Sequence, residues 1–138
     1  MSEYTLDWLS HDTLTAIEPK EFGRWTLKFA SGGTLLVQCP WRVLDNGAIC
    51  ISSADDKQQY GLAAPIDAAG EVSRLLRGEA VAIVHVEQTT GDIRLTFVSG
   101  KELHVLPISS GYEAWESFSP QGFNVIAQGG QQLVGFKP

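Results

Sequence analysis

Apolar and polar residues alternate strictly in two neighbouring segments of the chain, residues 92–97 and 102–105. Successive side chains of a strand point to opposite faces, so each segment predicts a strand with one apolar face. Pairing the two apolar faces places Phe97 opposite Leu103 and leaves Ser99-Gly100-Lys101 as a three-residue loop. The pattern therefore predicts an antiparallel hairpin that is buried on one side.

The same pattern occurs 68 positions earlier, in residues 24–38. Seven of fifteen positions are identical at this offset, against roughly one expected by chance: Gly23/Gly91, Leu27/Leu95, Phe29/Phe97, Ser31/Ser99, Gly32/Gly100, Leu35/Leu103 and Val37/Val105. We infer an internal duplication, with related units at about 3–39 and 71–107, in which a short helix and an apolar strand precede each hairpin. The alternative is that two hairpins with Ser-Gly loops simply look alike.

Further elements follow from turn and capping residues. Asn46-Gly47 between apolar runs predicts a tight hairpin turn. Asp67 as a cap, an apolar stripe and a final Gly78 predict a helix over residues 67–77. With a short helix at 3–9 and further strands at 14–17, 80–87, 122–127 and 132–136, the sequence predicts one α+β domain over residues 1–138. Its mostly antiparallel meander comprises about ten strands, in one sheet or two.

Composition narrows the classes of partner. The chain has 138 residues and a formal net charge of −6, which argues against a nucleic-acid-binding protein. It has no apolar run long enough for a membrane helix and no recognisable secretory signal, so we expect a cytoplasmic protein without membrane contact. In that compartment Cys39 and Cys50 are expected to be reduced core residues.

No motif of residues predicts catalysis or a resident cofactor. His85 and His104 are expected on one sheet face but two strands apart, roughly 10 Å, which is too far to share a metal ion easily. Asp55 and Asp56 lack the alternating carboxylates of a calcium loop, so we interpret them as an acidic patch or a solvated loop. The Ser and Gly clusters lack the partners of a nucleophile elbow or a phosphate loop.

The segment Tyr112-Glu113-Ala114-Trp115-Glu116 is the most distinctive cluster in the chain. Two aromatic residues three apart in an extended segment leave opposite faces, so one ring is expected in the core and the other at the surface. We expect Trp115 to be buried, whereas the position of Tyr112 stays open. Large amphipathic aromatic residues bordered by Glu113 and Glu116 indicate a protein-binding surface, and the alternative is that both rings lie in the core. Trp41-Arg42 after Pro40 is a second candidate of this kind.

Several short motifs resemble a family of small bacterial domains of unknown function. They are CPWR (39–42), GL-x-x-P (61–65), LL-x-G (75–78), TGD-x-x-L-x-F (90–97), YEAWE (112–116) and GG-x-x-L (129–133). The resemblance covers nearly the whole chain and implies no catalytic residue. Such acidic single-domain proteins are similar in style to immunity proteins of polymorphic toxin systems. Here Ala127-Gln128 precedes the last glycines where members of this kind often have proline, so the final turn is expected to differ.

These observations predict a non-enzymatic binding protein, most concretely an immunity protein that occludes the active site of a basic toxin domain. The predicted contact residues are Asp55, Asp56, Tyr112, Glu113, Glu116, Trp41 and Arg42, with no metal and no cofactor. A small-molecule-binding domain with a pocket between the sheet and the helix is the alternative. A homodimer formed through an exposed strand edge is a further possibility.

Overall fold

The computed structural model describes residues 4–130 and 133–136. Within these residues the chain forms eleven strands and one α-helix. In chain order they are β1 (Leu14–Pro19), β2 (Trp25–Phe29), β3 (Thr34–Val37), β4 (Trp41–Asp45), β5 (Ala48–Ser52), α1 (Ala68–Leu76), β6 (Val81–Val86), β7 (Ile93–Phe97), β8 (Glu102–Val105), β9 (Trp115–Phe118), β10 (Asn124–Ala127) and β11 (Leu133–Phe136). Short 3₁₀ turns lie at Asp7–Leu9, Glu21–Gly23 and Ser53–Asp55.

The strands form two antiparallel sheets. Sheet one has the order β1-β2-β3-β9-β10-β11, and sheet two has the order β5-β4-β8-β7-β6. The prediction of an α+β protein with mostly antiparallel strands and a helix near 67–77 is confirmed. The structure has one strand more than expected and divides the strands between two sheets. The predicted helix at 3–9 is a 3₁₀ turn, and residue 3 and Gln132 lie outside the described residues.

The two similar hairpins have the same register. Leu27 pairs with Leu35 in the first, and Leu95 pairs with Leu103 in the second. The predicted pairing of Phe97 with Leu103 is therefore wrong by two residues. The loop is residues 98–100, closed by a hydrogen bond of 2.8 Å from the Phe97 N–H to the Lys101 carbonyl. Gly100 ends this loop with φ +92°, the left-handed position that a three-residue hairpin loop needs.

After each hairpin the chain crosses to the other sheet. β4 leaves sheet one and pairs with β8, while β9 leaves sheet two and pairs with β3. The edge strands β1 and β6 of the two sheets also meet, because Thr13, directly before β1, bridges Ala80, directly before β6. At this corner the N–H groups of Ala30 and Val98 donate to the Thr13 and Ala80 carbonyls, each at 2.9 Å. The two halves of the chain are thus interlocked through strand pairing.

One apolar cluster fills the space between the sheets. Trp25 of sheet one and Trp41 of sheet two meet edge to face, with ring centroids 5.1 Å apart. α1 packs against β1 and β5 through its buried residues Ala68, Val72 and Leu76. The Asp67 carboxylate accepts a hydrogen bond from the Gly70 N–H, which is the predicted N-terminal cap.

Candidate functional site

The loop between β8 and β9 presents two large side chains to solvent. Ile108 is 80% exposed and Tyr112 is 83% exposed. The Ser109 hydroxyl oxygen accepts hydrogen bonds from the backbone N–H groups of Gly111 at 3.1 Å and Tyr112 at 2.9 Å. These bonds define the turn before Tyr112, so the exposed ring projects from an ordered loop.

A depression of about 230 Å³ lies beside these side chains. We call it the Tyr112 patch, and it is lined by Gln38, Cys39, Pro40, Ile108, Ser109, Tyr112, Glu113 and Ala114. The Gln38 amide donates to the Glu113 carboxylate at 3.4 Å. Partial burial raises the pKa of Glu113, and the nearby negative charge of Glu116 raises it further. The patch therefore combines exposed apolar surface with a carboxylate whose charged form is disfavoured.

Glu116 and Trp115 leave opposite faces of β9. The Trp115 ring is fully buried, and its Nε1–H donates to the Gly91 carbonyl at 2.7 Å. Glu116 lies on the outer face, where its carboxylate accepts a hydrogen bond from the Asn124 amide at 3.1 Å. The structure thus places Trp115 in the core and Tyr112 at the surface, but Tyr112 lies in the turn before β9 and Ala114 and Trp115 are both buried, so strand alternation does not set this arrangement.

Neither Trp41 nor Arg42 lines the Tyr112 patch. The Trp41 ring is only 1% exposed, so the predicted role of this ring at a partner surface does not hold. Arg42 is the next residue of β4 and points the other way, into a depression on the outer face of sheet two. Strand alternation separates the two side chains.

The carboxylates of Asp55 and Asp56 accept hydrogen bonds within the segment that leads from β5 to α1. The Asp55 carboxylate accepts from the Ser52 N–H at 2.9 Å and from the Tyr60 hydroxyl at 3.0 Å. The Asp56 carboxylate accepts from the Ala68 N–H at 3.0 Å, in the first turn of α1. Both predicted contact residues therefore have partners within the chain, and neither lines the Tyr112 patch.

The two cysteines differ in environment. Cys39 is partly buried in the lining of the Tyr112 patch, and burial raises the pKa of its thiol to about 12. Cys50 is exposed on β5, so the expectation that both lie in the core is wrong for Cys50. Both thiols are free, as expected.

A second depression, of about 630 Å³, lies between β5 and α1. We call it the helix cleft, and its lining comprises Cys50, Ile51, Leu62, Ala64, Pro65, Ile66, Asp67, Gly70 and Glu71. It lies where the alternative prediction placed a small-molecule pocket. Its lining mixes apolar side chains with the carboxylates of Asp67 and Glu71, and the cleft is open to solvent.

The exposed residue Ile108, which lines the Tyr112 patch together with Tyr112, was not predicted from the sequence. The available signal was a single large aliphatic residue between Pro107 and Ser109, in a segment that breaks the alternation of β8. An apolar side chain in such a segment has no sheet face to cover it, so its exposure is a reasonable expectation.

Within residues 4–130 and 133–136, no three His, Cys, Asp or Glu side chains are grouped closely enough to hold a metal ion. Nor do these residues include a helix with the length and apolar character needed to cross a membrane. Comparison with protein-family models, curated proteins and solved structures found no match to this chain. The candidate function therefore depends on the surface features of the chain itself.

Proposed function

We propose that this protein is a non-enzymatic binding protein and, most concretely, an immunity protein that neutralises a cognate toxin by covering the toxin's active site. The observation that carries the proposal is the exposed pair Ile108 and Tyr112 on an ordered loop beside a depression. Large side chains held in such positions are typical anchors of protein interfaces, where Tyr is enriched.

Electrostatics support a basic partner. Glu113 and Glu116 lie at or near the Tyr112 patch, and the chain carries a net charge of −6. A complementary positive surface would be steered towards this region and would associate faster at low ionic strength. A basic neighbour would also favour the charged form of Glu113.

Asp55 and Asp56 have a smaller part in this proposal than the sequence suggested. Their oxygens accept hydrogen bonds within the chain, so direct contacts to a partner would compete with these bonds. We assign them a contribution to the long-range field and assign the buried contact to Tyr112 and Ile108.

The test is to express the product of the neighbouring gene alone and together with this chain, to score toxicity and rescue of growth, and to measure binding directly on the purified pair. We expect Tyr112→Ala to weaken binding by about thirtyfold, since truncation of an interface anchor costs about 2 kcal/mol. Phe22→Ala is the matched control, because Phe22 is 91% exposed but lies on the β1–β2 hairpin.

Two outcomes would contradict the proposal. One is a neighbouring gene product that has no toxic activity or is not neutralised by this chain. The other is a complex whose affinity is lowered equally by Tyr112→Ala and Phe22→Ala, because that result would remove the Tyr112 patch as the specific contact.

The helix cleft supports a second candidate function, the binding of a small molecule. Its volume of about 630 Å³ is that of a drug-sized ligand site. A ligand that binds only the native state raises the unfolding temperature, so a thermal-shift screen of metabolites is the direct test. Ala64 is exposed and lines the cleft, so Ala64→Phe should abolish any shift that arises there.

A further inference from the structure

The outer face of sheet two carries a line of basic side chains. His85 pairs with Arg94, and Arg94 pairs with His104 on the next strand. His104 in turn pairs with Arg42 on β4. Residues paired across strands share a face, so these four side chains, which we call the basic row, cross four neighbouring strands. All four line a depression of about 380 Å³.

Hydrogen bonds hold the centre of the basic row. The Arg42 Nε–H donates to His104 Nδ1 at 3.2 Å, and His104 Nε2 lies 3.2 Å from the Glu102 carboxylate. Because Nδ1 accepts, the ring proton of neutral His104 is on Nε2 and is donated to Glu102. This arrangement orients the Arg42 guanidinium and leaves its terminal NH₂ groups for another acceptor.

Arg42 and Arg94 lack a carboxylate partner in the described part of the chain, although the sequence has 16 Asp and Glu residues. Within the described part of the chain, neither Arg42 nor Arg94 has a carboxylate oxygen within 4.0 Å, whereas Arg74 pairs with Glu71 at 2.9 Å. Arg42 and Arg94 are two strands apart, roughly 10 Å between backbones, with His104 between them. Side chains of this length can therefore approach one ligand from both sides.

We propose that the basic row binds a tetrahedral oxyanion, namely a phosphate, either free or as the monoester group of a small molecule. Each guanidinium presents a planar fork of donors that fits two oxygens of an anion. A phosphate has enough oxygens and charge for both forks, whereas one fork satisfies a carboxylate. This site is separate from the Tyr112 patch and goes beyond the proposed function.

Carboxylates in the same depression locate the anion more closely. Glu87 directly follows β6, Asp92 directly precedes β7 and Leu106 directly follows β8, so these three residues line one side of the basic row. The two carboxylates lie nearest His85 and Arg94, so they repel an anion from that part of the basic row and favour a position towards Arg42, within reach of the Arg94 guanidinium. The same carboxylates weaken the site, and neutralising one of them should strengthen binding.

The test is a titration of the ¹⁵N-labelled full chain with inorganic phosphate at neutral pH, with chloride keeping the ionic strength constant. We expect saturable shifts of the arginine Nε–H signals of Arg42 and Arg94. Arg94→Gln and Arg42→Gln should each weaken binding by about tenfold, through loss of charge-assisted hydrogen bonds. Arg77→Gln, an exposed charge change beyond the end of α1, should leave the affinity within about twofold.

Glu87→Gln provides the opposite arm of the test and should tighten phosphate binding by about twofold. Phosphate shifts that do not saturate, that acetate reproduces, or that persist unchanged in both arginine variants would overturn the proposal. The dispersion of backbone signals shows for each variant that the fold is intact.

Two further arms define the ligand and separate this site from the proposed function. Tighter binding of phenyl phosphate than of inorganic phosphate would support an esterified ligand, and equal binding would support free phosphate. Tyr112→Ala should leave phosphate affinity unchanged, so a failure of the toxin assay and a failure of phosphate binding are independent results.

Discussion

Two fully buried tryptophans differ in a single hydrogen bond. The Trp115 Nε1–H donates to the Gly91 carbonyl, whereas Trp41 Nε1 has no hydrogen-bond partner among the described residues. The cost of a buried donor depends on whether it is paired. Trp41 and Trp115 therefore allow the free-energy cost of an unpaired buried N–H donor to be compared with that of a paired one in the same core.

We expect Trp115→Phe to destabilise the protein more than Trp41→Phe, by about 1–2 kcal/mol. The first substitution leaves the Gly91 carbonyl without its partner, while the second removes an unpaired donor, and both lose similar ring volume. Urea denaturation of the two variants and the parent chain measures the difference. Equal costs would show that Trp41 Nε1 has a partner in solution, such as a buried water.

The raised pKa of Glu113 makes a prediction about stability and pH. Its folded pKa lies above the ordinary glutamate value of 4.5, so its charged form destabilises the fold above that folded pKa. Below about 4.5 the group is protonated in both states and the penalty is gone. Because the side chain is partly solvated, we expect Glu113→Gln to stabilise by less than about 0.5 kcal/mol at neutral pH.

The measurement is denaturant unfolding of Glu113→Gln and the parent chain across the acidic range. The difference in unfolding free energy should be positive at neutral pH and vanish as the pH falls through the carboxyl range. Glu102→Gln is a poor control because Glu102 contacts His104, so Glu79→Gln is used instead. A difference that does not change with pH would point to a contact effect.

At the scale of the elements, the loop before α1 depends on a side chain that sequence alone assigned to a partner. The Asp56 carboxylate accepts from the Ala68 N–H, one of the N-terminal donors that the helix leaves without a backbone partner. We expect Asp56→Ala to cost about 1 kcal/mol of stability. Asp56→Asn keeps an acceptor oxygen and should cost less.

Thermal unfolding of both Asp56 variants measures this effect. If Asp56→Ala were as stable as the parent chain but bound the proposed partner much more weakly, the structural role would be wrong and a direct contact would replace it. Equal destabilisation by Asn and Ala would show that the carboxylate charge is needed, beyond the hydrogen bond.

Alternation along the chain was sufficient to identify strands and their faces but not their register. Moving β8 by two residues keeps Leu103 and Val105 on the same face, so both registers satisfy the pattern. The deciding feature is the loop, in which the left-handed Gly100 comes last, after Val98 and Ser99. Register could have been predicted by giving turn geometry more weight than face matching.

The candidate site was predictable only in part, for a similar reason. The burial of Trp115 was expected, but the exposure of Tyr112 is set by the turn that Ser109 closes before β9, which strand alternation does not describe. Asp55 and Asp56 appeared available because their partners, Tyr60 and Ala68, are brought to them by the folded loop. The basic row needs the pairing of β4 with β8, strands about sixty residues apart, which no local pattern reveals.

At the scale of the molecule, each half of the chain supplies strands to the sheet of the other half. β9 pairs with β3 in sheet one, and β4 pairs with β8 in sheet two. Each central pairing thus joins a strand from before α1 to a strand from after it. Neither sheet can be completed by one half of the sequence, even though the halves contain similar hairpins.

We therefore expect the protein to unfold as one cooperative unit. Loss of either half would remove a neighbour from β3 or β8 and open the shared core, so partly folded states should be unstable. Scanning calorimetry should give a calorimetric enthalpy equal to the van't Hoff enthalpy, and fluorescence and circular dichroism should report the same midpoint. Two separate transitions would show that the halves are stable independently and that the exchanged strands add little to the fold.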